Sequence, residues 1–178
     1  TFKILAAYSA ALDAGGLTLA SVQDDAPYTY AGANGKSVSN YDKRYRGFTT
    51  LREAITDSIN IVTVKTLAQV GVSLGWQYVQ EYGFTTVDSR DMNEALALGG
   101  ITQGVSNLEL TAAYAAIANQ GTYIKPKFYT KILDHDGNVL IDNTTPESHT
   151  VIKDTTAWLL TSAMEDVMTS GTGTSAYF

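Results

Sequence analysis

The chain has 178 residues, enough to bury one respectable core, with 12 Lys and Arg against 18 Asp and Glu and a formal net charge of -6. The basic residues are scattered, which argues against nucleic-acid binding, since phosphate recognition needs them clustered. With no cysteine and only two histidines, His135 and His149, the sequence offers no disulfide framework, no thiolate chemistry and little for zinc, so a metal-free mechanism is expected.

Phe2 to Leu12 is Ala-rich with apolar residues at helical spacing (Phe2, Leu5, Ala6, Leu12), and Gly15-Gly16 is a glycine stop, so Lys3 is expected in the first turn of a buried helix. From Leu17 to Phe48 the periodicity fades into Pro, Gly, Asn, Asp, Ser and Tyr, which reads as a long, locally ordered loop with two short strands. Thr50 and Glu53 form a capping box for a helix from Leu51 to about Asp57, and a second helix runs from about Asn60 to Gln69 before Gly71. Ser58-Ile59-Asn60 therefore falls at a corner between helices. Ser73 is a cap for a helix through Tyr82, and Ser106 with Glu109 is a further capping box before Leu110 to Asn119, which Gly121 ends.

After Gly121 the chain turns β-prone: Tyr123 to Leu133 and Val139 to Ile141 flank Asp136-Gly137-Asn138, a hairpin turn signal. Asp154 then precedes a helix over Thr155 to Met168, with Ala157, Leu160, Met164 and Val167 on one face, followed by Ser170-Gly171-Thr172-Gly173-Thr174. No repeat or low-complexity linker divides the chain. No apolar run reaches the roughly 20 residues that span a bilayer, so an anchor or export signal would have to lie outside these residues.

Three groups of residues carry chemistry. Thr1-Phe2-Lys3 matches the last three letters of an SxxK motif, Ser58-Ile59-Asn60 is an SxN, and Gly171-Thr172-Gly173 closes the chain. A serine hydroxyl is a poor nucleophile until a base takes its proton, and a lysine one helical turn later can do so only where burial disfavours its charge. Taken singly, Lys3 reads equally as a solvated lysine, Ser58 as a helix cap, Asn60 as a turn residue and Thr172 as part of a frayed end. Gly99-Gly100 reads as backbone geometry, His135 and His149 as ordinary exposed histidines, and the loop tyrosines either as groove lining or as a cover for the core.

Order and spacing add a resemblance. Besides those groups, the chain carries Asn40-Tyr41-Asp42-Lys43-Arg44-Tyr45-Arg46-Gly47 leading into Thr50-Leu51-Arg52-Glu53-Ala54, then Leu98-Gly99-Gly100, Gly104-Val105-Ser106-Asn107-Leu108-Glu109, Ala113-Tyr114-Ala115-Ala116 and Asn119-Gln120-Gly121. Over nearly its whole length it resembles the transpeptidase domain of bifunctional, class A penicillin-binding proteins. The resemblance implies an α+β fold shared with serine β-lactamases, of which residues 1–178 would be a mostly helical part with the central sheet largely missing. The segment would begin one residue after the SxxK serine and stop before the family's KTG strand.

The same resemblance implies Lys3 as general base, Ser58 as proton relay, and Asn60 and Thr172 as substrate-binding residues. Ile59 stands where the family often has a polar or basic residue. The implied activity is acyl-serine D,D-transpeptidation of peptidoglycan stem peptides, with β-lactam antibiotics acylating the same serine, and no metal or cofactor. A D,D-carboxypeptidase or β-lactamase-like hydrolase is the alternative on the same scaffold, and a non-catalytic β-lactam-sensing or cell-wall-binding module is another. The implied partners are the rest of the transpeptidase domain and an upstream glycosyltransferase domain. The implied location is the outer face of the cytoplasmic membrane, by way of an N-terminal anchor elsewhere in the parent. Residues 1–178 would supply one base, one relay and one amide clamp, and no complete reaction. Their helical faces are expected to be poorly covered.

Overall fold

A computed structural model describes residues 2–31 and 36–176; Thr1, the first of the three residues matched to the end of an SxxK, lies outside the described residues. The centre of the molecule is a π-helical segment, Lys3–Tyr8, that runs directly into α1, Ser9–Asp13. The Ser9 N–H donates to the Ile4 carbonyl, closing the wide π turn, and Ser9 Oγ donates to the same carbonyl at 2.9 Å. Single π turns are rare and gather at functional sites. The Ala residues at 6, 7, 10 and 11 are fully buried and present little bulk, so neighbouring elements approach closely. Those neighbours are α3 (Asn60–Val70), α4 (Val72–Glu81) and a 3₁₀ segment, Glu94–Leu98.

The stretch read as a long loop holds four short strands, not two. β1 (Val22–Asp25) pairs antiparallel with β4 (Gly47–Thr50), and between them β2 (Tyr28–Thr29) pairs with β3 (Ser37–Val38). Strands of two to four residues are too short for period-two alternation to show, and their pairing partners lie too far along the chain for a turn motif to announce. Tyr28 and Tyr30 pack on the core, whereas Tyr41 is 98% exposed.

β4 leads straight into α2 (Leu51–Thr56) through the capping box: Thr50 Oγ1 accepts from the Glu53 N–H at 3.2 Å, and Glu53 Oε2 accepts from the Thr50 N–H at 2.8 Å. The same reciprocal pair, Ser106 and Glu109, opens α5 (Asn107–Ala118). Ser73 does not cap α4. That helix begins at Val72, with Gly71 before it, and the Ser73 hydroxyl contacts the Met92 sulfur at 3.8 Å instead.

Gly121 ends the α5 turn at a φ of +87°, and its carbonyl accepts from the Val151 N–H at 2.8 Å. A Cβ there would collide with the Ile152 carbonyl. Gly121→Ala therefore combines a left-handed backbone penalty with a steric clash, and we expect a loss of about 2–4 kcal/mol, read as a lower urea midpoint at unchanged slope.

The hairpin forms where Asp136-Gly137 predicts it, between β6 (Lys131–Leu133) and β7 (Val139–Asp142). Tyr123 to Leu133 is not one strand, however. β5 (Thr122–Ile124) pairs with β8 (Ser148–Thr150), and the last bond of that ladder runs from the Lys125 N–H to the Glu147 carbonyl, just before Pro126, a residue type that strand interiors disfavour. Among the described residues the strands form four separate two-stranded pairs around a helical core, an α+β arrangement.

α6 (Asp154–Thr169) buries Thr156, Ala157, Leu160 and Ala163, and Arg52 of α2 donates from Nε to Asp166 Oδ2 at 2.7 Å and from Nη2 to Ser162 Oγ at 2.9 Å, tying the two helices together. The expectation of poorly covered helical faces fails for the central helices, whose apolar side chains are sealed by one another. Apolar side chains instead stand open on the β6–β7 hairpin and at Trp158, which is 69% exposed. Among the described residues no helix is long and apolar enough to cross a membrane.

Candidate active site

Lys3 and Ser58 are 55 positions apart in sequence and in contact in the fold. Lys3 Nζ lies 2.9 Å from Ser58 Oγ and 2.5 Å from the Ser58 carbonyl oxygen. Burial pushes the Lys3 ammonium down from the ordinary lysine range to about 8, because removing water penalises the charged form. A neutral amine in this position can donate to the carbonyl and offer its lone pair to a hydroxyl proton.

The corner that carries Ser58 has a defined geometry. α2 ends in a Schellman motif: the Ile59 N–H reaches the Ala54 carbonyl at 2.9 Å and the Ser58 N–H the Ile55 carbonyl at 3.2 Å. The residue before Ile59 in such a motif adopts a left-handed conformation and is usually glycine. Here it is Ser58, at a φ of +54°. Ile59 is 2% exposed, so the apolar residue in the middle of the SxN is a core anchor.

Asn60 is the first residue of α3, and its side-chain Nδ2 donates to the Ser39 carbonyl at 2.8 Å. Thr172 is exposed beyond α6, with its N–H on the Thr56 carbonyl at 3.3 Å. Two cavities meet at Lys3, Ser58 and Thr172. A pocket of about 220 Å³ runs down between Ile55, Tyr8, Met164 and Met168, while a cleft of about 710 Å³ runs past Asn60, Tyr41, Asp42 and Arg46. All four residues singled out in the sequence thus line one cleft, Asn60 at its polar end.

Sequence reasoning assigned no role to Asn40, Asp25 or Arg46, which build that polar end. Asn40 lies in the quoted 40–47 stretch, but nothing in the spacing shows that it reaches α3. Gly99 adopts a left-handed φ of +81° and the Gly100 N–H bonds Ala95, so this pair shapes backbone, as read. His135 is exposed beside Asp136, and His149 stacks on Tyr123 at 5.2 Å while its Nε2 meets the Glu81 carbonyl; both stand apart from the cleft. Among the described residues no three His, Asp or Glu side chains are grouped to hold a metal ion.

The family model described as "Penicillin binding protein transpeptidase domain" matches residues 1–177. The chain belongs to the penicillin-binding protein transpeptidase family. It is 37% identical, over its whole length, to penicillin-binding protein 1F of Bacillus subtilis, of which it spans 24%. Among solved structures, penicillin-binding protein 1A of Haemophilus influenzae superposes on 97% of the chain with a TM-score of 0.82 at 25% identity, the match covering 31% of that chain. The D,D-transpeptidase domain of a peptidoglycan glycosyltransferase from Eggerthella lenta shares the fold with a TM-score of 0.79 at 22% identity, covering the whole chain and half of that domain. This member of the penicillin-binding protein transpeptidase family thus spans about a quarter to a half of the relatives it matches.

Proposed function

We propose that the chain is part of a peptidoglycan D,D-transpeptidase that works through an acyl-serine intermediate and is a target of β-lactams. The observation that carries this reading is the Lys3–Ser58 contact at the junction of the two cavities: a buried amine with a depressed pKa touching the hydroxyl of an SxN serine. The nucleophile is a serine immediately preceding Thr1, in a transpeptidase domain whose KTG strand follows residue 178.

Neutral Lys3 accepts the proton of that serine hydroxyl while the oxygen attacks the carbonyl carbon of the D-Ala-D-Ala amide. The C–N bond then breaks, Ser58 passes its proton to the departing D-alanine amine while taking one from the Lys3 ammonium, and the acyl group stays on the serine. An amine from a neighbouring stem peptide attacks the ester, restoring the serine hydroxyl and forming the cross-link. Asn60, with its Nδ2 held by Ser39, presents its side-chain carbonyl to a substrate N–H, and Thr172 borders the scissile bond. An opened β-lactam ring remains on the same oxygen. In the parent protein an upstream glycosyltransferase domain and a membrane anchor place this chemistry on the outer face of the cytoplasmic membrane.

Fluorescent penicillin added to the longer protein, followed by denaturing electrophoresis and mass spectrometry of the labelled peptide, tests this. The expected adduct is on the serine that precedes Thr1-Phe2-Lys3. No adduct, or one on a different residue, removes the acyl-enzyme reading.

A further inference from the structure

A helix begins with N–H groups that its own carbonyls cannot reach, and a Ser, Thr, Asp or Asn at the preceding position normally satisfies one of them. α3 begins at the candidate site without that help, because the residue before it is Ile59, whose side chain forms no cap. The missing acceptor comes from Asn40, 20 residues upstream. Its Oδ1 accepts from the Asn60 N–H at 3.0 Å and from the Ile61 N–H at 3.2 Å.

The other half of the Asn40 amide is equally committed. Nδ2 donates to both oxygens of Asp25, at 2.8 and 3.0 Å, and to the Arg44 carbonyl at 2.8 Å. Asp25 is fully buried at the end of β1 and also accepts from the Arg46 N–H at 3.0 Å, with the Arg46 guanidinium at 3.8 Å. Only one orientation of the amide is consistent with these partners. Rotated by half a turn, it would set Oδ1 against a carboxylate and a carbonyl, and Nδ2 against two N–H groups. Asn40 is itself 3% exposed, so water does not offer an alternative. The residue before it, Ser39, holds the Asn60 side chain through its carbonyl, so one short segment grips α3 by both its backbone and its first side chain.

We propose that Asn40, locked by Asp25, is a positioning residue that caps α3 from outside the helix and so holds Ser58 and Asn60 in register with Lys3. The proposal rests on the acyl-serine reading of the site for its effect on rate, and on the hydrogen bonds alone for its effect on the helix. A shift of the first turn of α3 moves the corner at Ser58, and displacements of about 1 Å in such a relay cost on the order of a hundredfold.

The test uses the full-length parent with three changes: Asn40→Ala, Asn40→Asp, and the exchange Asp25→Asn with Asn40→Asp. Asn40→Asp keeps an acceptor for α3 but sets two carboxylates side by side, whereas the exchange returns a donor–acceptor pair between positions 25 and 40. Expected for each single change at position 40 is an acylation rate constant by fluorescent penicillin, at saturation, lowered by about 10- to 100-fold with the non-covalent Kd altered less than about threefold. The exchange is expected to recover at least about tenfold of the rate lost in Asn40→Asp, the Arg44 carbonyl remaining without its donor. Wild-type acylation in Asn40→Ala overturns the proposal, as does an exchange variant that regains its melting temperature without its rate.

Amide hydrogen exchange separates this from the function itself. Asn60 and Ile61 are expected to exchange faster in Asn40→Asp and to be protected again in the exchange variant, whether or not penicillin reacts. Unchanged protection overturns the cap. Unlabelled wild-type protein, with protection changing as expected, removes only the acyl-serine reading.

Discussion

Replacing Lys3 by Met in the longer protein is expected to lower the rate constant for acylation by penicillin by about 10³–10⁴-fold, while the protein stays folded. Methionine keeps the length and the buried apolar stem of lysine, so the pocket beside Ile4 and Tyr8 remains filled, but nothing is left to take the serine proton. General-base contributions of about 10²–10⁴ bound the loss, and the direct contact of Lys3 with the Ser58 hydroxyl places it in the upper part of that range. Lys3→Arg is not expected to rescue, because a guanidinium cannot give up its proton near neutral pH. The pH profile supplies a second handle. With Lys3 poised at about 8, the neutral form grows about tenfold per pH unit below that value, so acylation should rise with pH and level off above about 8. Stopped-flow or quenched labelling across pH 6 to 9.5 measures this; a flat profile, or wild-type rates in Lys3→Met, removes Lys3 from the role of base.

Ser58 yields a comparison in which activity and stability part company. Both Ser58→Gly and Ser58→Ala delete the hydroxyl that Lys3 touches, and both are expected to slow acylation by about a hundredfold. Their stabilities should differ. At a φ of +54° alanine keeps the left-handed penalty of any residue with a Cβ, and glycine does not, so Ser58→Gly should be about 1 kcal/mol more stable than Ser58→Ala. Urea denaturation of the two variants measures the gap directly. A serine kept where the backbone favours glycine is the pattern of a side chain retained for chemistry at some cost to the fold. Equal stabilities would show that the corner relaxes and stores no such penalty, and wild-type acylation in both variants would end the relay assignment.

Much of the chain was legible because its signals are local. Thr50 with Glu53 and Ser106 with Glu109 mark helix starts within four residues, Gly121 marks a stop, and Asp136-Gly137 marks a hairpin. Each of these depends on hydrogen bonds or dihedral angles a few positions apart, which is the range over which a sequence pattern carries information. The same locality explains the errors. Ser73 has the chemistry of a cap, yet the chain already turns at Gly71, and Tyr123 to Leu133 reads as β-prone, yet it holds two separate strands with different partners.

The site divides along the same line. From sequence, the ordered landmarks pointed to the penicillin-binding protein transpeptidase family, and to Lys3, Ser58, Asn60 and Thr172 as the residues to examine. The tertiary structure alone decided that Lys3 and Ser58 touch across 55 positions, that burial depresses the lysine, and that Ile59 belongs to the core. It also decided that Asn40, held by Asp25 at the end of β1, supplies the cap that α3 lacks. The reason is physical: a cap, a turn or a helical face is specified by neighbours in the chain, whereas proximity, burial and the orientation of an amide arise only when distant segments pack together.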